Sequence, residues 1–567
     1  MKFFDELPFK PVIVESIRNY NKTLFFKDLT SGIIVGIVAL PLAIAFGIAS
    51  GVAPEKGIAT AIIAGFLASL FGGSKVQISG PTGAFIVIVY GIVEKFGVQG
   101  LAIATFMAGI ILILLGVFKI GSIIRFIPYP IVVGFTSGIA LTIFTTQIKD
   151  FFGLQMAKVP SSFIDKWIAY SHHLDTIDLW SLEVAVLTVV LIVLIPRISP
   201  KIPSSLIAIV LMTVGALVLK NSFGITTIET IGDRFQIQAQ LPQPQELGFS
   251  FDKISLLLSA AVTIAMLGSI ESLLSATVAD GVTGDKHDSN TELIGQGIAN
   301  VVVPFFGGIP ATGAIARTMT NINNGGKTPI SGIIHAGVLL LILLFLGDLS
   351  KHIPMSCLAG ILVVVAYNMS EWRTFKGLMK NQKSDVAVLL TTFFLTVIFD
   401  LTIAIEIGLL LAVILFIQRI GENSGISMLT EVADPTTEYD PTLDIRNLTV
   451  PEGVEVYEID GPFFFGVANT FDEQMKVIGD KPKIRIIRMR KVPFIDSTGL
   501  HNLESFVVKS RKEKIHIILS GVNEKVRNAL EKSTIVSAIG TENICPSILV
   551  ALDKANEYLA QTDHKTV

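Results

Sequence analysis

Apolar runs of membrane-spanning length recur between residues 29 and 418. A helix needs about 20 mostly apolar residues to cross the hydrocarbon core. Runs that reach or approach this length centre near residues 40, 64, 90, 108, 136, 188, 210, 265, 300, 316, 338, 361, 392 and 410, which makes 14 candidate elements, several of them short or broken. From Val454 the pattern changes. Strand-like runs at 454–459, 484–489 and 515–519 alternate with amphipathic helical runs at 469–478, 497–512, 524–532 and 546–559. Such alternation predicts a sheet flanked by helices. Residues 421–448 are polar, hold Pro435 and Pro441, and read as a linker. The expected division is a cytosolic N-terminal segment (1–26), a transmembrane domain (27–420), the linker (421–448) and a cytosolic α/β domain (449–567).

Composition sharpens this division. Only 16% of the chain is charged, 51% is hydrophobic and the mean hydropathy is +0.65, against about 25% charged in an ordinary soluble domain. Of the charged residues, 39 lie in 421–567, so the charge deficit belongs to the front of the chain. A net charge of -3 offers no basic surface to a nucleic acid. Two distant cysteines, Cys357 and Cys545, make neither a disulfide framework nor a thiolate metal site. The start through Lys27 carries Lys2, Lys10, Arg18 and Lys22 without a long apolar core, so no cleavable signal peptide is expected. With the N-terminus inside, the cytoplasmic turns hold Lys75, Lys119 with Arg125, Arg197 with Lys201, and Arg373, Lys376, Lys380 and Lys383. Residues 149–179 and 220–253 are then external loops, and both termini are cytoplasmic.

Two apolar segments are interrupted alike. One reads Gln77-Ile-Ser-Gly-Pro-Thr-Gly-Ala-Phe85 and the other Gly307-Gly-Ile-Pro-Ala-Thr-Gly-Ala-Ile315. Each lies at a similar distance into its own half of the membrane part, as an inverted repeat of two sevens would leave them. A helix that begins inside the bilayer has unpaired N–H groups at its start. With the positive end of the helix dipole these donors attract an anion. Two facing half-helices thus make a binding place at midplane; the bland reading is a pair of packing kinks.

Glu271 ends a run of 17 uncharged residues and is followed by more apolar chain, so it lies within a span. A charged carboxylate is costly there, which makes Glu271 a candidate proton carrier. Ser275 lies one turn later on the same face, and Gly268 one turn earlier leaves room beside the carboxylate. Arg317 follows the second interruption inside an apolar helix. Glu271 and Arg317 either form a buried structural pair or border the substrate, and both roles can coexist. Asp28, Asp400 and Glu406 fall near predicted span ends and read as interfacial. Pro41 is expected to kink the first helix, where Phe46 either touches a ligand or packs.

Together these residues resemble the SulP family of anion transporters, relatives of the animal solute-carrier anion exchangers. The marks are Ile78-Ser-Gly-Pro-Thr-Gly-Ala84, Gly268-Ser-Ile-Glu-Ser-Leu-Leu-Ser275, Asn290-Thr-Glu-Leu-Ile-Gly-Gln-Gly-Ile-Ala-Asn300, and Gly308-Ile-Pro-Ala-Thr-Gly-Ala-Ile-Ala-Arg317 leading to Asn324-Gly-Gly-Lys-Thr-Pro329. The resemblance implies a polytopic α-helical membrane protein of 14 spans in a 7+7 inverted repeat, with core and gate subdomains, elevator-like motion and homodimers. It implies an anion site between the starts of the third and tenth helices, facing the first and eighth. Carried over, that site comprises Phe46, Gly83, Ala84, Phe85, Gly313, Ala314, Ile315 and Arg317 as substrate-binding residues, with Glu271 and Ser275 in proton coupling.

The chain departs from sodium-coupled bicarbonate members, which have aspartate at Glu271 and threonines at Ser275 and Ile315. Isoleucine cannot coordinate sodium, so the expected coupling ion is H+. Leu42 stands where animal exchangers commonly have glutamine. Phe494-Ile-Asp-Ser-Thr-Gly-Leu500 resembles the loop and helix start of STAS domains, in whose soluble members the serine matching Ser497 is phosphorylated. The alternative is that Asp496 and Ser497 cap the helix. The STAS domain could take a cytosolic protein partner.

No nucleophile–base set, phosphate loop or zinc spacing is present, so neither an enzyme nor a metal or cofactor is expected; His172-His173 reads as surface. The expected activity is proton-coupled uptake of a dicarboxylate or inorganic oxyanion across a bacterial inner membrane. Sodium-coupled bicarbonate or sulfate transport, a passive channel, and an anion sensor signalling through the STAS domain are the rivals.

Overall fold

Helices follow the apolar runs closely. The structure, a computed structural model, describes residues 9–18, 20–121, 127–156, 159–160, 162–198, 203–235, 240–248, 251–399, 401–429, 450–465 and 482–563. The predicted helix at 469–478, Arg125, Lys201, Asp400 and most of the predicted linker lie outside these residues. By contact the chain divides into Met1–Leu410 and Leu411–Val567.

The first half of the membrane part contains α1 (Lys22–Ala49), α2 (Pro54–Phe71), strand β1 (Ser79–Gly80), α3 (Ile86–Val117), α4 (Tyr129–Phe152), α5 (Leu179–Ile198) and α6 (Ser204–Phe223). The second contains α7 (Phe251–Thr283), α8 (Ser289–Val302), strand β2 (Thr312–Gly313), α9 (Ile315–Asn323), α10 (Ile330–Leu346), α11 (Met355–Met369), α12 (Lys383–Ile398) and α13 (Leu401–Asn423). The long α3 is two helices joined at Gly97, whose φ of 69° and ψ of -179° are not helical. Glycine reaches this conformation without a Cβ clash. The break separates the runs predicted near residues 90 and 108. Among the described residues, ten helices are long and apolar enough to cross a membrane. The shorter helices beside the breaks are not, and the order is consistent with fourteen spans.

Local chemistry sets the helix ends. Asn21 caps α1 through Leu24 N–H, and Asp288 caps α8 through Asn290 and Thr291 N–H, each satisfying helix-start donors. Helix α1 continues through Pro41. Two packing groups result. In one, α3 lies on α7 and α8, α2 on α8 and α10, and α1 on α10. In the other, α4 lies on α11 and α12, and α5 on α6 and α11. These are the core and gate layers. Small residues allow close helix approach in membranes: a Cβ on Gly109 of α3 would come within 2.8 Å of Gly297 O of α8.

Asp28, in the second turn of α1, is fully buried and accepts the N–H groups of Lys327 (2.8 Å) and Thr328 (3.2 Å) and the Thr328 hydroxyl (2.6 Å). It thereby ties α1 to the turn before α10. Glu406 is exposed, as its place near a span end suggests.

The second unit is a five-stranded sheet in the order β3 (Gly425–Met428), β4 (Val454–Asp460), β5 (Ile484–Lys491), β6 (His516–Ser520), β7 (Ile544–Cys545). The β4–β7 pairings are parallel and β3–β4 is antiparallel. Strand β3 lies inside the segment read as a linker, and α13 also extends into it. That expectation is corrected for 421–428: polar composition hid an edge strand. Helices α14 (Ser497–Lys512), α15 (Glu524–Glu531), α16 (Ile535–Ile539) and α17 (Ile548–Asp563) accompany the sheet. Apolar clusters lie on both of its faces, one around Ile487 and Phe506 and one around Ile486 and Leu552, so β4 and β5 are buried from both sides.

Candidate anion-binding site

The two chain interruptions meet. Strands β1 and β2 pair antiparallel, Ser79 opposite Gly313 and Gly80 opposite Thr312. From this pair the chain enters two helices: Gly83–Phe85 forms a 3-10 turn leading into α3, and Ala314 leads into α9.

The donors at these starts follow from bond counting. At the first, the earliest bonds are Phe85 N–H to Thr82 O (3.2 Å) and Ile86 N–H to Gly83 O. The N–H groups of Gly83 and Ala84 precede them and have no backbone acceptor among the described residues. At the second, Gly313 N–H donates to Ser272 Oγ (3.0 Å) and Ala314 N–H to Ile78 O (2.9 Å). The first helical bond is Thr318 N–H to Ala314 O (2.9 Å). The unpaired donors are therefore those of Ile315, Ala316 and Arg317. Gly313 and Ala314, carried over as substrate-binding residues, spend these N–H groups on bonds within the protein.

Phe46, Gly83, Ala84, Phe85, Gly313 and Ala314 are all buried around these starts. A Cβ on Gly83 would lie 3.6 Å from Phe46 Cε1, 3.5 Å from Ile143 Cδ1 and 2.8 Å from Met369 Sδ. Phe46 thus stands where expected, joined by two side chains of α4 and α11 that the sequence did not single out. Ile315 is 37% exposed, and Ala316 is exposed beside it. At Gly268 the Phe85 ring packs nearby, its Cζ 3.6 Å from the position of a Cβ, an ordinary contact.

Glu271 is 9% exposed, on α7 directly before Ser272. Arg317 is 2% exposed and sends Nη2 to Pro81 O at 2.6 Å. Among the described residues the two form no ion pair. The structural-pair expectation is corrected: the guanidinium crosses from the second break to the backbone of the first. Ser275 is fully buried and donates to Thr318 Oγ1 (3.2 Å), which in turn accepts Ile78 N–H (3.1 Å). It ties α7, α9 and the first break together.

Several site-building residues lie inside motifs quoted above, their roles unread. Ser272 Oγ accepts Gly313 N–H and sits 2.7 Å from Thr312 Oγ1, which donates to Gly268 O (2.9 Å). Glu292 accepts the N–H groups of Gly73 (2.9 Å) and Ser74 (3.1 Å) and the amides of Gln77 (2.7 Å) and Gln296 (2.9 Å). Asn300 brackets Ala311, donating to its O (2.8 Å) and accepting its N–H (2.9 Å). The signal was a polar residue every four positions, Glu292, Gln296 and Asn300, on one face of a helix.

In the second unit Asp496 caps α14 through Gly499 N–H (2.7 Å), and Ser497 is exposed at the first turn. The geometry supplies the capping role; nothing in it bears on modification of Ser497. His173 Nδ1 contacts Ala169 O (2.8 Å). No group of His, Cys, Asp and Glu among the described residues is arranged to hold a metal.

Comparison with known proteins matches residues 25–392 to the sulfate permease family and 446–549 to the STAS domain. The chain belongs to the sulfate permease family. The protein is thus a multi-pass membrane protein of a transporter family, not of an enzyme family. Among sulfate permease relatives it is 42% identical to the putative sulfate transporter YvdB of Bacillus subtilis, over 93% of this chain and 97% of that one. It is 31% identical to the bicarbonate transporter BicA of Picosynechococcus, over 93% and 94%. Its fold matches the transmembrane domain of a cyanobacterial BicA with a TM-score of 0.61 at 33% identity, covering 70% of this chain and 98% of that one. It also matches murine Solute Carrier 26 family member A9 in the inward-facing state, with a TM-score of 0.85 at 19% identity and 98% coverage of both.

Proposed function

We propose that this protein takes up a small inorganic oxyanion of the bicarbonate or sulfate class together with protons. The observation that carries this reading is the Ser79–Gly313 pairing, which joins two sets of unpaired helix-start donors. Convergent N–H groups suit a compact anion. Similarity to transporters named for bicarbonate and sulfate supports the same class. Arg317 is buried with Nη2 on Pro81 O, which disfavours it as a second clamp for a long dicarboxylate, so the C4-dicarboxylate is the weaker substrate.

Proton coupling rests on Glu271, a carboxylate within a span and without a cationic partner among the described residues. Protonation on loading offsets the charge buried with the anion. Sodium is disfavoured, since the Ser275 hydroxyl donates to Thr318 and the Ile315 side chain carries no oxygen. The cycle proposed is elevator-like, the core layer moving the joined half-helices against the gate layer, within a homodimer in a bacterial inner membrane with both termini cytoplasmic.

Uptake of labelled bicarbonate, sulfate and fumarate into proteoliposomes, under imposed proton or sodium gradients, tests this. An inward proton gradient is expected to drive accumulation of an inorganic oxyanion, and Glu271→Gln to abolish it. Sodium-driven uptake, or proton dependence unchanged in Glu271→Gln, overturns the coupling. Selective uptake of fumarate overturns the substrate class. Absence of flux with retained anion binding points to a sensor.

A further inference from the structure

Behind the junction of the breaks lies a group of buried polar atoms that the anion site does not use. His335 of α10 is fully buried, and neither ring nitrogen has a hydrogen-bond partner. Ser69 Oγ on α2 and Arg317 Nη1 are also buried and unpartnered. Backbone positions tie these atoms to one region. A Cβ on Gly65 would lie 3.2 Å from His335 Nδ1 and 3.3 Å from Ser79 O. A Cβ on Gly332, one turn before His335, would lie 2.1 Å from Ser69 Oγ. A Cβ on Gly80, next to Ser79, would lie 2.4 Å from Arg317 Nη1.

In either neutral tautomer an imidazole has one donor and one acceptor nitrogen, so both need partners. Ser69 adds a donor and an acceptor, and Arg317 Nη1 adds donors only. Leaving this set dry is costly, and buried water satisfies such groups where two to four polar partners converge. We propose that ordered water joins His335, Ser69 and Arg317 Nη1, and that His335 is a positioning residue that holds the guanidinium beneath the first half-helix. This rests on the anion-site reading only for its functional consequence; the water itself does not. Arg317 is then held from two sides, by Pro81 O directly and by His335 through water. The first half-helix is aimed correctly only while both hold.

The test is a high-resolution structure of the full-length protein with anion-binding measurements on variants. Density for water within hydrogen-bond distance of His335, Ser69 and Arg317 Nη1 is expected. His335→Leu should lose it and weaken anion binding about tenfold with the maximal transport rate little changed, while His335→Gln, whose amide keeps a donor and an acceptor, restores both. Ser69→Ala, the milder change, should lose part of the water density and bind the anion more weakly, so the proposal stays testable if His335→Leu does not fold. A ring bonded directly to protein atoms with no water density overturns the proposal, as does unchanged affinity in both His335→Leu and Ser69→Ala. If Arg317→Ala leaves affinity intact, the positioning role falls together with the anion-site reading, whereas the water density is judged on its own.

Discussion

Ser272 Oγ accepts the Gly313 N–H at 3.0 Å, one residue beyond Glu271 on α7. The residue proposed to carry the proton and the residue that fixes the second break are therefore neighbours on one helix. Replacing Ser272 by Ala strands a buried N–H, which costs about 1–3 kcal/mol. Ser272→Ala is expected to weaken anion binding about tenfold without changing which cation gradient drives uptake. Equal affinity in a binding assay would show that this bond does not support the site.

Two glycines near the same helix should answer differently to one methyl group. At Gly313 a Cβ would fall 2.3 Å from Gln77 Nε2 and 3.1 Å from Ser272 Cα. At Gly268 the nearest atom is Phe85 Cζ at 3.6 Å, an ordinary contact. Gly313→Ala is expected to abolish transport and Gly268→Ala to keep most of it. The proteoliposome assay compares them directly, and equal activities would refute the crowding at Gly313.

Glu292 holds the approach to the first break through four donors. Glu292→Gln puts an amide donor among donors. Loss of a buried acceptor of this kind costs roughly 1.5–3 kcal/mol per charged bond. The variant should melt well below the wild type in detergent. A melting temperature within a degree of wild type would mean that the loop is held by other means.

In the second unit, two kinds of ion pair predict two outcomes. Glu455 and Arg485 pair at 3.0 Å across β4 and β5, with about a tenth of each side chain exposed, and Phe506 lies under the guanidinium. Lys491 and Asp460 pair at 2.9 Å but are half exposed or more. Removing one partner of a buried pair costs about 3–5 kcal/mol, whereas an exposed pair contributes about 0–1 kcal/mol. Glu455→Ala should greatly speed hydrogen exchange in β5, and Asp460→Ala should leave it near wild type. Similar exchange in the two variants would contradict this ranking.

Much of the frame was legible because membrane burial writes itself in apolar runs and glycine–proline interruptions. Both breaks and the start of α14 at Ser497 were read from pattern, whereas Phe46 beside Gly83 came from the family resemblance. The fate of individual donors was not. That Gly313 and Ala314 would turn their N–H groups inward depended on Ser272 and Ile78, which come from elsewhere in the chain. Arg317 was visible as a buried charge, but its acceptor is a backbone carbonyl, which no side-chain pattern announces. The partners of Asp28 went unread because distance from a span end says nothing of a turn 300 residues later that needs an acceptor. Strand β3 escaped because an edge strand of four residues carries too little alternation to show.

The two-residue ladder between Ser79–Gly80 and Thr312–Gly313 ties one break to the other. In the cycle proposed above, a movement that kept this ladder would carry the donors of both halves at one spacing, and a difference in affinity between the two sides of the membrane would then arise in the surrounding walls.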